Sequence, residues 1–194
     1  MCGIGVMPVG TNKITNCEDF EYGSRFNPYE IMDSMWKIFY FWANTTEMTP
    51  IVFSLPAKNR VDKLKMLVET VDPTLDLEWH KITLIMEPRK GITVLFLYAT
   101  TPGAFRAVVL LERYTKVRPH PLPLIKLADV RLKLLDRYIG MMCCEDLTAY
   151  ALARIDEMPI TEESCLSAAA KFDIDLPNGH SYLYVHKLHN NDEL

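Results

Sequence analysis

The sequence predicts an all-β fold, an eight-stranded antiparallel up-and-down β-barrel with one C-terminal α-helix packed on its outside. Three observations carry that expectation. Between Met35 and Ile155 the chain runs through segments rich in β-branched and aromatic residues; turn chemistry rather than helices separates them; and one helix-patterned stretch, followed by a last short strand, comes only near the end. A barrel closed on itself leaves no unpaired strand edge, and one of this size is about wide enough to hold a small ligand.

Residues 1–30, rich in Gly, Asn, Pro and charge, read as an irregular lead-in with a short helical turn around Asn27 to Met32. Residues 31–190 form the barrel domain. Its strands are expected in MWKIFYFWANT, LEWHKITLIMEP, GITVLFLYATT, RAVVLLERYTKV, VRLKLLDRYIGMMCC and LTAYALARI, separated by EPRKG, TTPG and RPHPLP. The stretch from Pro56 to Leu77 stays open, because RVDKLKMLVETV fits either a strand with a long loop or a short helix. A helix is expected near residues 161–172: Thr161 is placed to cap it, Glu162 and Glu163 complement the dipole in its first turn, and Cys165, Ala168, Ala169 and Phe172 share one face. SYLYVHKL, near residues 181–188, makes a final strand.

The chain has 194 residues, with 49% hydrophobic and 24% charged, which suits one globular domain and excludes disorder. Its formal charge of −4 is mild and its Lys and Arg are scattered, so nucleic acid is not an expected partner. The longest apolar run, Ile92 to Ala99, has the length of a strand and not of a membrane span. Five cysteines, Cys2, Cys17, Cys143, Cys144 and Cys165, allow two disulfides and one free thiol, and none lies in a C-x-x-C pair. With the sequon at Asn44, they point outside the cytosol, to a secreted, extracellular protein. MCGIGVMPVG has neither the basic start nor the apolar core of a signal peptide, so the chain reads as a mature form. The terminal NDEL resembles a retrieval signal with Asn in place of the basic residue, which leaves the endoplasmic reticulum lumen as a lesser alternative.

The residues at the two ends of the barrel region resemble those of the lipocalin family. Ser34-Met35-Trp36, after FNPYEIMD, is similar to the family's Gly-x-Trp, with serine in place of glycine. Arg154 in LTAYALARIDEMP stands where the family has an arginine packing across that tryptophan, and the helix that follows is similar in composition and position. Cys17 precedes Trp36 at the distance seen in arthropod and apolipoprotein D-like lipocalins, and YIGMMCC resembles their Tyr-Ala-x-x-Tyr-x-Cys. The resemblance, that of a divergent member, implies a Cys17–Cys144 disulfide, a barrel plugged by Trp36 and Arg154, and a hollow calyx. It further implies a secreted carrier for a small hydrophobic molecule such as biliverdin, a retinoid, a carotenoid or a fatty acid. No cofactor is required, and a bound chromophore, biliverdin or a retinoid or carotenoid, is compatible with the resemblance. The alternative is an interaction lipocalin, of the salivary inhibitor or scavenger type, acting through its surface loops.

If Trp36 faces inward, strand alternation places Ile38, Tyr40 and Trp42 inward as well, and Phe39 and Phe41 outward beneath the late helix. Left uncovered, that outward pair would mark a subunit interface, so a homo-oligomer is compatible with the sequence. Trp79, Phe96, Tyr98, Tyr138, Met142 and Leu152 complete the set of ligand-binding candidates. A bland alternative accompanies each: apolar residues at strand spacing also fill a solid core, and a buried tyrosine commonly just bonds to backbone. His80, His120, His180, His186 and His189 lack metal- or haem-ligand spacing, so no metal is expected. Cys143 cannot share a strand face with Cys144 and reads as a packed thiol, while Cys2 and Cys165 either pair or stay free. G-x-S-x-G, phosphate-loop and H-E-x-x-H patterns do not occur, Glu162 and Glu163 are explained by capping, and none of the cysteines falls on an early barrel strand, where the prostaglandin synthase type of lipocalin keeps its own. The expected mode of action is binding, not catalysis.

Overall fold

A computed structural model describes residues 13–44, 48–112 and 123–184. It is an antiparallel up-and-down β-barrel of eight strands: β1 (Met35–Trp42), β2 (Ile51–Ser54), β3 (Ile82–Arg89), β4 (Ile92–Tyr98), β5 (Ala104–Leu111), β6 (Leu124–Leu135), β7 (Tyr138–Cys143) and β8 (Thr148–Arg154). Each strand from β2 to β8 pairs with the next, β8 pairs with β1, and β1 closes the ring on β2 at Met35–Val52 and Trp36–Ile51. Beyond that short contact β2 leaves the edge of β1, and a ninth strand, β9 (Gly179–Ser181), takes its place against Tyr40–Trp42. No helix among the described residues is long and apolar enough to cross a membrane.

Among the described residues, α1 (Cys17–Glu21), α2 (Lys58–Val71) and α3 (Glu162–Ala170) lie on the outside. α3 follows its sequence signals closely. Thr161 accepts from the backbone of Ser164, the Ser164 side chain reaches back to the Thr161 amide, and Cys165, Ala168, Ala169 and Phe172 are all buried. The open segment resolves as the helix α2, in which Val61, Leu64 and Val68 form a helical apolar stripe. Two expectations are corrected and one unassigned segment gains a strand. VRLKLLDRYIGMMCC is two strands and not one, split at Asp136, which takes a left-handed φ of 54° that aspartate tolerates in a tight turn. IVFS, too short to announce itself between Pro50 and Pro56, supplies β2. The final strand ends at Ser181, with helical backbone at residues 182–184; the rest of SYLYVHKL lies outside the described residues, as do His120, His186, His189, Cys2 and residues 191–194.

The wall is apolar on both faces because both are covered. Inside, all eight barrel strands contribute to one cluster that includes Trp36, Ile38, Phe41, Phe53, Leu84, Phe96, Phe105, Leu132, Ile139 and Leu152. Outside, α2 packs on Ile85, Leu95, Val108 and Leu110 of β3 to β5, while α1 and α3 cover Phe39, Tyr40, Trp42, Met142 and Ala151 of β1, β7 and β8. Each fully buried large side chain contributes about 1.5–3 kcal/mol of transfer free energy, so the outer helices are a major part of the fold's stability.

A bulge in β1 overturns the simple alternation expected there. Ile38 pairs with Leu152 and Tyr40 with Ala151, so Phe39 is an extra residue in the ladder. Inward facing therefore passes from Trp36 and Ile38 to Phe41 and Ala43, and Tyr40 and Trp42 turn out beneath α3 beside Phe39.

Candidate functional site: the barrel interior

The end of the barrel where β1 begins is closed. Trp36 is fully buried and its Nε1 donates to the Ile31 carbonyl at 2.9 Å. The Arg154 guanidinium lies 5.1 Å from the Trp36 ring and donates to the Glu30 carbonyl at 3.0 Å, as the plug-and-arginine expectation requires. Phe26 of the lead-in meets Phe105 edge-on at 5.5 Å, and Phe105 meets Phe96 at 5.6 Å, so aromatic rings fill this half. Gly103, at φ 87°, allows the β4–β5 turn to approach β6: a Cβ there would lie 2.2 Å from the Leu132 carbonyl oxygen.

The lead-in is strapped to the wall by covalent and ionic contacts. Cys17 and Cys144 form a disulfide between residues 127 apart in sequence. Glu21 pairs with Arg131 at 2.6 Å and accepts from the Thr101 hydroxyl; that hydroxyl bond, the guanidinium hydrogen bond and its charge together outweigh burial and hold the Glu21 carboxyl below its ordinary value.

Toward the other end the interior loosens. Along β4, β5, β6, β7 and β8 the inward rows run from fully buried residues, Phe96, Phe105, Leu132, Ile139 and Leu152, to half-buried ones, Ile92, Val109, Ala128, Cys143 and Tyr150. Here the lining gains polar groups. Cys143 stands opposite Thr148, and Tyr150 stands between Phe41 and Met141 in one row. Burial pushes the Cys143 thiol up to about 11 and raises the Tyr150 phenol, against an opposing Thr148 hydrogen bond in each case. Both keep their protons at neutral pH.

Of the ligand-binding candidates, the structure brings Ile38, Phe96 and Leu152 together inside. Tyr40, Trp42, Tyr138 and Met142 are on the outer face, covered by α1 and α3. Trp79 precedes β3 in a 3-10 turn and packs in the outer cluster under α2. Tyr98 stands exposed at the closed rim, with its hydroxyl 3.3 Å from the Thr100 carbonyl. Phe41, Phe53, Met86, Phe105, Met141, Cys143 and Tyr150 are interior too, although strand spacing alone does not mark them. One signal for β7 was available: Gly140 marks the outer row, because a Cβ there would meet Phe172 at 2.7 Å and Phe20 at 3.0 Å.

Asn44 is exposed just past β1, its Oδ1 accepting from Asn178 Nδ2 at 3.0 Å; the Thr residues of its sequon lie outside the described residues. Cys165 is buried and free under α3. His80 sits in the turn before β3, far in sequence and setting from His180, which stacks on Tyr184 at 4.3 Å. A separate groove of about 700 Å³ runs along the outside of the closed end between Tyr29, Met35, Val52 and Leu55. The chain matches no family model, no curated protein and no solved structure.

Proposed function

We propose that the chain is a lipocalin-like carrier that holds a small, largely apolar ligand in the open half of its barrel. The single observation that carries this reading is the gradient of burial along the inward rows of five adjacent strands, from an aromatic-filled floor to a half-buried upper lining. Apolar ligand surface leaves water for such a lining, and a braced wall has little ordering entropy left to lose on binding. Retinoids and carotenoids, and biliverdin or a fatty acid whose carboxylates stay in water at the rim, suit an apolar pocket of this type. The Cys17–Cys144 disulfide supports an oxidising, extracellular setting, and the exposure of Asn44 is compatible with a glycan there. Titration with retinol and with biliverdin tests the reading through absorbance and quenching of Trp36, which forms the floor of the site. Saturable quenching is the expected result; no saturable change with either, or with a fatty acid, overturns it.

The exposed closed-end groove favours a second reading, an interaction protein acting through its surface. Tyr29 and Met35 are 71% and 57% exposed, respectively, and Val52 and Leu55 add to the same apolar patch. Met35→Asp combined with Leu55→Asp would abolish a complex formed there and leave ligand titration unchanged.

A further inference from the structure

Below its rim, where the exposed Lys126 stands opposite Val109 on the inward row, the upper interior is apolar except at one place. Away from the exposed rim, polar side chains on the described inner wall are Arg154 at the floor and the group formed by Cys143, Thr148 and Tyr150 on β7 and β8. Register makes these three neighbours: Cys143 pairs with Thr148, and Tyr150, one inward position along β8, pairs with Met141 and Phe41. We infer that this group is the head-group site of the pocket and binds the uncharged oxygen of an otherwise hydrocarbon ligand, as in a long-chain alcohol, aldehyde or ketone. The inference rests on the carrier reading and adds the chemistry by which the ligand is oriented.

The physical argument is one of donors and charge. A thiol and two hydroxyls all have hydrogens to donate, and hydroxyls also accept, so an alcohol or a carbonyl satisfies them without leaving a buried polar group unpaired. Burial that holds the Cys143 thiol and Tyr150 phenol in their protonated forms works equally against a carboxylate placed beside them. The rest of the row, Phe41 and Met141, offers only apolar contact to the ligand's chain.

Displacement of bound 1-aminoanthracene by 1-dodecanol and by dodecane tests this on the whole protein. The alcohol is expected to bind more tightly than the hydrocarbon. Tyr150→Phe weakens the alcohol roughly five- to tenfold and leaves the hydrocarbon unchanged, the size of one lost hydrogen bond in a buried site. Thr148→Val, nearly isosteric, gives a second variant with the same selective loss should Tyr150→Phe not fold. Equal effects on both ligands, or none on either, overturn the head-group site while the carrier reading stands. Failure of the probe and both ligands to bind overturns the two together.

Discussion

Ile38 and Tyr40 stand two residues apart on β1 and face opposite sides of the barrel wall. Their partners on β8, Leu152 and Ala151, are adjacent, so the ladder absorbs Phe39 as an extra residue and every later side chain of β1 changes sides. Phe41 consequently lines the interior beside Tyr150, and Trp42 packs at 4.8 Å against Tyr40 under α3.

That exchange gives a direct test of which row faces the ligand. Phe41→Leu changes the affinity for an apolar ligand, whereas Trp42→Phe leaves it unchanged while costing some stability. Parallel ligand titrations and urea melts on the two variants measure both effects, and the reverse pattern would mean that the bulge is misplaced.

The disulfide closes a loop across a sequence separation of 127 residues and anchors α1 over β6 and β7. Replacing both cysteines, Cys17→Ser with Cys144→Ser, is expected to cost about 2–5 kcal/mol. The comparison of oxidised wild type and variant by urea denaturation reads this directly.

The floor depends on the Trp36 indole as well as on its bulk. Trp36→Phe removes the donor to the Ile31 carbonyl, leaves that oxygen unpaired in a buried place and opens a small void, for a loss of about 2–4 kcal/mol. Thermal unfolding, followed by far-ultraviolet circular dichroism, measures the change.

Glu21 sets an acid limit on the strap. Its carboxyl is held below the ordinary value in the folded state, so it contributes stability that is fully present above the unfolded carboxylate value and is lost as pH falls through the folded one. Stability measured from pH 6 downward should fall less steeply in Glu21→Gln than in wild type through the carboxylate range. Parallel curves would show that the pair with Arg131 has no part in acid sensitivity.

Gly140→Ala inserts a methyl where Phe20 and Phe172 press on the outer face of β7. Overpacking of that kind costs about 1–3 kcal/mol, and the additional Phe172→Leu should recover part of it in a double-mutant cycle.

Much of the architecture was legible in local chemistry. α3 was readable because Thr161, Glu162 and the 165–168–169 face act within one helix, and Trp36 with Arg154 because a distinctive pair marks the two strands that meet at the floor. α2 stayed ambiguous because Val61, Leu64 and Val68 fit a helical stripe while the flanking polar residues also suit a loop. The interior set was only partly legible. Where helices cover the outside, both faces of a strand are apolar, and Tyr138 and Met142 on β7 look no different in sequence from Ile139 and Met141.

By itself, then, the sequence determined an antiparallel barrel, its late helix and its floor, because these rest on residue types and spacings that act locally. Which apolar row faces the barrel interior was decided only by the tertiary structure. A one-residue bulge reverses a strand of period two, and α1, α2 and α3 remove the polar outer face that would otherwise have announced the inside.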